Sequence, residues 1–352
     1  MISRRVGRYI LEMPNDDREP LYDFMKGILI IMVLLNHVIN QYGFNVLNEN
    51  NDYIRPLIFM VNMPSFFIIA GYFCPTSLSK YGVKQYCIEK VKRLLWPLVV
   101  WGFLRWCSTS LLGGAQLSIR SLVNNIFCIW FLPIMFIVSI LGGLLLSIYY
   151  NKALNGLHIL YFIGFVIILW TFFRRYVSIY NILLYGFYYV LGIWWKISRK
   201  THVFRNTKEM RLLFAFIGNL MLFIYIYLIY FGKLISYIRA FFGMCATFYF
   251  IFLMKSIYQR VAHKKMTSRI CDIGRFSLEI YVLQIIVVEL WGFRIYHILC
   301  QNFFSGINIF APNIYFFYLF SMWLWTISFV VICYYFVNSI RKSRYGKHLW
   351  KL

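Results

Sequence analysis

Ten times along its length this sequence runs for about the thickness of a bilayer almost without a charge, and that repetition limits what it can fold into. A helix needs about 20 consecutive apolar residues to cross the hydrocarbon core. The runs lie near residues 24–41, 54–73, 94–112, 126–149, 157–173, 177–195, 212–231, 234–254, 276–297 and 313–338. A transmembrane barrel would alternate apolar and polar positions, whereas these segments are continuously apolar. The chain is 61% hydrophobic with a mean hydropathy of +0.66, more apolar surface than a soluble core can use. The expected fold class is all-α, a polytopic integral membrane protein of about ten transmembrane helices. Its parts are a polar amino-terminal segment (1–22), one membrane domain (23–338) and a basic tail (339–352). The first 22 residues have no apolar centre, so they are not expected to be a cleavable signal peptide. The first span would serve as the targeting signal.

A net charge of +24 could indicate nucleic acid, but its distribution points elsewhere. With ten spans both termini share one side, and that side collects 27 of the 36 lysines and arginines. Loops on the opposite side hold five, and Lys26, Arg55, Arg105 and Arg294 lie within or at the edges of spans. The asymmetry places both termini in the cytoplasm. The charge is therefore mainly topological, no nucleic-acid partner is expected, and the expected location is the cytoplasmic (inner) membrane of a bacterium. The eight cysteines are scattered without a C-x-x-C, and they are expected to pack as small apolar residues rather than bind metal.

Ionisable groups inside a span are costly and are functional candidates by default. On a wheel of about 100° per residue, Asp23, Lys26, His37 and Asn40 of the first span share a stripe about 100° wide. Asp23 and His37 are separated by a rise of roughly 21 Å. The charged pair would sit at a cytoplasmic mouth, and His37 in the outer half of the membrane. The alternative for His37 is a histidine hydrogen-bonded to a neighbouring helix. In the second span Pro64, next to Asn62, frees a backbone carbonyl that a cavity or a neighbour must satisfy. Lys92 and Arg93 precede Pro97, where basic groups can bind phosphate, although topology alone also accounts for them. Trp130 opens an aromatic cluster with Phe131. In the ninth span Glu279, Tyr281, Gln284 and Glu289 interrupt apolar sequence. Glu289, the deepest, is expected to pair with Arg105 or Arg294, or to face a cavity.

Taken in order, these pieces resemble the membrane acyltransferase-3 family, in particular its fucose 4-O-acetylase-like branch of sugar O-acetyltransferases. The resemblance rests on Asp23–Lys26–Gly27 followed by His37, Met63–Pro64 with Phe66–Phe67 and Gly71–Tyr72, Lys92–Arg93–Leu94–Leu95 with Pro97, and Trp130–Phe131–Leu132. Beyond the fourth span it adds a weak Ser277…Tyr281-Val-Leu-Gln284 pattern. It implies a ten-helix enzyme that moves an acyl group, usually acetyl, from cytoplasmic acyl-CoA to a glycan hydroxyl. His37 would be the essential histidine, as general base or acyl carrier. Lys92 and Arg93, with Asp23 and Lys26, would serve the acetyl-CoA donor. Asn40, Asn62, Trp130 and Glu289 would line the substrate pocket. The chain departs from the family pattern with asparagine at 62, alanine at 70 and glutamine at 284, where relatives often have histidine, serine and histidine.

The implied chemistry is consistent with the residue types. A sugar hydroxyl is a poor nucleophile at neutral pH, and a histidine base is well matched to activating it. The expected partners are acyl-CoA, a glycan or lipid-linked sugar acceptor, and membrane lipid. The competing function is a transporter or flippase of lipid-linked oligosaccharide, also polytopic and basic. A flippase needs a wide polar cavity built from many spans, and the uncharged tenth span offers little to one. A glycan polymerase would be expected to have a large extracytoplasmic catalytic loop, and the longest outer loops, near 41–53 and 113–125, are short.

Overall fold

In a computed structural model of the protein, residues 19–41, 54–112, 118–150, 179–200, 236–292, 294–295 and 312–342 are described. Among these residues the regular structure is entirely helical. The helices are α1 (Pro20–Gln41), α2 (Ile54–Tyr72), α3 (Cys74–Lys90), α4 (Trp96–Leu111), α5 (Ile119–Phe127) and α6 (Phe131–Tyr150). They continue with α7 (Ile179–Lys200), α8 (Ser236–Val261), α9 (Lys265–Arg275), α10 (Ser277–Ile286) and α11 (Pro312–Lys342). Wider π-helical turns join α3 to α4 (Val91–Leu95) and extend α10 (Val287–Gly292). The spans expected at 157–173 and 212–231 lie outside the described residues.

Among the described residues two stretches, Pro20–Asn40 and Met322–Lys342, are long and apolar enough to cross a membrane unbroken. Two further spans arise if each of two bent pairs is counted as one: Ile58–Tyr72 with Cys74–Leu111, bent by 60°, and Ile119–Phe127 with Phe131–Ser147, bent by 65°.

Helix α1 lies at the centre and packs against α2, α8, α9, α10 and α11. It starts with Pro20 in its first turn, where a missing N–H costs nothing. Leu29, Ile30, Val33, Leu34 and Val38 are almost wholly buried. The approach of α9 is unusually close. A Cβ at Gly274 would strike the Asp23 carbonyl and the Gly27 amide, and one at Gly27 would strike Ile270. Small residues are what permit helix backbones to touch in this way.

Two prolines shape the helices around the site. Pro64 has no N–H to offer the carbonyl four residues back, which belongs to Met60. The Thr247 hydroxyl of α8 donates to that carbonyl at 3.3 Å, so a neighbouring helix supplies the bond that the proline withholds. Pro97 follows the π turn at 91–95, where the Trp96 amide reaches back to Val91 rather than closing an α-turn. Such insertions occur often at functional sites.

On α11 the residues Leu324, Ile327, Val331 and Tyr335 are exposed while Thr326, Phe329, Cys333 and Val337 are buried. This one-sided burial fits a helix with one face on the bundle and one toward lipid. At its end Arg341 pairs with Glu279 of α10 and places its guanidinium 4.6 Å from the Phe276 ring.

Candidate active site

His37 sits on the fifth turn of α1, partly accessible, with its Nδ1 3.0 Å from Oε1 of Glu289. Glu289 belongs to the π stretch that follows α10. The extra residue in that stretch changes the rotational register that an uninterrupted α-helix would impose. The other carboxylate oxygen, Oε2, accepts from Arg105 Nη1 at 2.7 Å. Arg105 in turn donates through Nε to Asn125 Oδ1 at 3.2 Å, and Asn125 Nδ2 donates to the Ser121 carbonyl at 3.0 Å. A single chain of contacts thus joins α1, α10's extension, α4 and α5.

Local sequence explains why these helices meet. Ser118 caps α5 by accepting the Ser121 amide at 3.1 Å, a standard way to satisfy an orphan N–H at a helix start. A Cβ at Gly102 would strike the backbone of Ile126, so this glycine lets α5 lie against α4. Arg105, one turn beyond Gly102, then reaches Asn125.

The contacts fix what each group can do. A carboxylate is an acceptor only, so at 3.0 Å the Nδ1 of His37 is the protonated nitrogen and Nε2 is left as the basic one. Arg105 balances the negative charge of Glu289, which makes the buried carboxylate tolerable. The arrangement has the logic of an oriented base, in which a buried carboxylate holds an imidazole and offsets the charge it gains on taking a proton.

A cavity of about 230 Å³ opens beside the lower part of α1. Its lining includes three cations, Lys26, Lys90 and Arg93. The body is apolar, formed by Met63, Phe66, Ala70, Phe131, Met135 and Tyr281. Phe131 holds this wall together, with its ring centroid 5.9 Å from Phe66 and 5.1 Å from Tyr281. Ligand pockets usually measure about 300–1,000 Å³, so this one lies just below that range.

The structure brings some of the sequence candidates together. His37 meets Glu289, and Lys26 and Arg93 both line the cavity. Asp23 is buried beneath them, 2.8 Å from Lys26 and 3.6 Å from Arg275. Other candidates are placed elsewhere. Lys92 is exposed and does not line the cavity, whereas Lys90 does. Trp130 packs 5.8 Å from Tyr185 and 5.9 Å from Phe59, and its neighbour Phe131 faces the cavity instead. Asn40 is exposed near the end of α1. Asn62 is fully buried. Of the two pairings weighed for Glu289, Arg105 is the one formed, and Arg294 donates to the Leu112 carbonyl. Asn125 was not singled out from sequence, and no local pattern marks it. Among the described residues no group of three or more His, Cys, Asp or Glu could hold a metal ion.

Comparison with known proteins adds a family. The chain is 30% identical over 89 residues to nodulation protein NolL of Sinorhizobium fredii, a match covering 24% of each chain. It is 30% identical over 105 residues to nodulation protein NolL of Mesorhizobium japonicum, covering 28% of this chain and 27% of the relative. The chain thus matches about a quarter of the length of these curated relatives. No solved structure matches it. The family described as acyltransferase domain (acyltransferase-3) matches residues 21–337, nearly the whole sequence, and includes every residue of the His37–Glu289–Arg105 chain and of the cavity. The protein belongs to the acyltransferase-3 family.

Proposed function

We propose that this protein is a multi-pass membrane O-acyltransferase that moves an acyl group, in the first instance acetyl, from cytoplasmic acyl-CoA to a hydroxyl of a cell-surface or lipid-linked glycan. The observation that carries the proposal is the His37–Glu289–Arg105 chain, whose His37 lies on the same helix as Lys26, which lines a cavity together with the cations Lys90 and Arg93. Lys26, Lys90 and Arg93 fit the phosphates of coenzyme A, and the narrow apolar body fits its pantetheine arm. On this reading the chain crosses the membrane ten times with both termini in the cytoplasm. The large charged part of the donor stays at the cytoplasmic mouth while the thioester points up the bundle.

On this reading transfer proceeds in two steps. His37 Nε2 takes the proton of the acceptor hydroxyl as its oxygen attacks the thioester carbonyl carbon. Glu289 offsets the charge on the resulting imidazolium. The tetrahedral intermediate collapses, the C–S bond breaks, and the departing sulfur receives the proton from His37. The products are the O-acyl glycan and free coenzyme A, and His37 is again neutral.

The test is mass spectrometry of surface glycans from cells expressing the wild type or His37→Ala at equal membrane levels. An acyl mass present with the wild type and absent with the variant is the expected result. An equal mark from both refutes the role of His37. Transfer of unmodified lipid-linked glycan across the membrane, with no acyl mark in either case, favours a flippase instead.

A further inference from the structure

Asn62 and Gln284 are both fully buried, and among the described residues neither side-chain amide has a hydrogen-bond partner for its nitrogen or its oxygen. A buried amide without partners costs free energy that an apolar residue of similar size would not. Such groups in native structures call for an explanation, and their placement supplies one. On α2, Asn62 stands on the stripe of Phe66, Ala70 and Phe73, all lining the cavity, and is one turn beyond Phe66. On α10, Gln284 stands on the stripe of Ser277 and Tyr281, also lining, and is one turn beyond Tyr281. Lys26 and His37 of α1 share a third stripe, at i and i+11, with roughly 16 Å between them. Each amide thus stands one turn past a lining aromatic, on one of two helices that both line the cavity. Gln284 lies five residues before Glu289 on the same helical run.

We infer that Asn62 and Gln284 bind the thioester carbonyl of the acyl donor, each donating an amide N–H to its oxygen. This rests on the acyl-CoA reading above and extends it to the acyl end. As the acceptor oxygen attacks, the carbonyl π electrons move onto that oxygen, and the two donors stabilise the negative charge. When the C–S bond breaks the charge returns to re-form the C=O, and the proton passes from His37 to sulfur. Preorganised donors in a dry site are effective because they need no reorganisation as the charge develops.

The test uses full-length protein in lipid nanodiscs and three probes: acetyl-CoA, S-ethyl-CoA and free CoA. S-ethyl-CoA matches acetyl-CoA in size but lacks the carbonyl. The wild type is expected to bind acetyl-CoA about tenfold more tightly than S-ethyl-CoA, from two neutral hydrogen bonds of modest net worth. In Asn62→Leu with Gln284→Leu that ratio should fall to about one, with free CoA binding unchanged. The doubly substituted protein should also melt higher than the wild type, because two unpaired amides have been removed. That readout shows the variant is folded and separates a ligand-binding role from a structural one. An unchanged ratio in a folded variant overturns the inference and leaves the acyl-CoA reading standing. A wild type that binds CoA without preferring the acetyl form also overturns it. A wild type that binds none of the three probes refutes the donor reading and this inference with it.

Discussion

Replacing Glu289 by glutamine keeps the shape of the side chain and removes its charge, and the geometry around it sets the consequence. The carboxylate has one oxygen 3.0 Å from His37 Nδ1 and the other 2.7 Å from Arg105 Nη1. A glutamine has only one oxygen, so either His37 or Arg105 must face an NH2 group. Unit charges 3.0 Å apart attract by about 5 kcal/mol at an effective dielectric near 20. Arg105 repels the same imidazolium, so the net stabilisation lost in the transition state is about 2–4 kcal/mol, or roughly 30- to 1,000-fold in rate. Glu289→Gln should therefore lower kcat by that factor and leave KM for the acyl donor nearly unchanged. Initial rates of acyl transfer at saturating donor, with purified protein in nanodiscs, measure both. A kcat within threefold of the wild type, or a loss confined to donor KM, would refute the assignment of Glu289 as the group that orients and balances His37. The substitution also strands the Arg105 charge, at a cost of about 3–5 kcal/mol. Adding Arg105→Met should restore the melting temperature without restoring the rate, which separates folding from chemistry.

Two further outcomes follow from the same structure. Removing cations that line the cavity, Lys26→Ala or Arg93→Ala, should weaken acyl-CoA binding about three- to thirtyfold, with less effect at high salt because exposed charges are screened. Lys92→Ala, outside the cavity, should have little effect, and equal losses at 92 and 93 in equilibrium binding would contradict the assignment. Gly274→Ala drives a Cβ into the backbone of α1 at Asp23 and Gly27. It should destabilise the α1–α9 contact by about 1–3 kcal/mol or more, read as a lower melting temperature in nanodiscs, and an unchanged melting temperature would contradict the close packing.

Much of the candidate site is legible in the sequence because a membrane span makes polar residues conspicuous. His37, Glu289 and Arg105 each stand out against apolar neighbours, and Arg105 was one of two partners foreseen for Glu289. Pro64 announced a carbonyl needing a partner, and Thr247 provides it. Lys90, Lys92 and Arg93 form one basic cluster in the chain, but only rotation about the helix and the π turn at 91–95 select 90 and 93 for the cavity. Trp130 and Phe131 are likewise adjacent in sequence, and packing alone turns Phe131 inward.

The sequence by itself determined the class of solvent and the helical state, because hydrocarbon leaves no other economical way to satisfy the backbone. It also determined the inventory of polar groups available inside the bundle. Which of these groups meet was decided by the tertiary structure. His37 and Glu289 are far apart in the chain, and no periodicity encodes their contact. It depends on α10 lying against α1 and on one extra residue in the π stretch that carries Glu289. The unpaired state of Asn62 and Gln284 was equally invisible in the sequence. A residue type states how many hydrogen bonds a side chain can make, and only its surroundings decide whether any are left for a ligand.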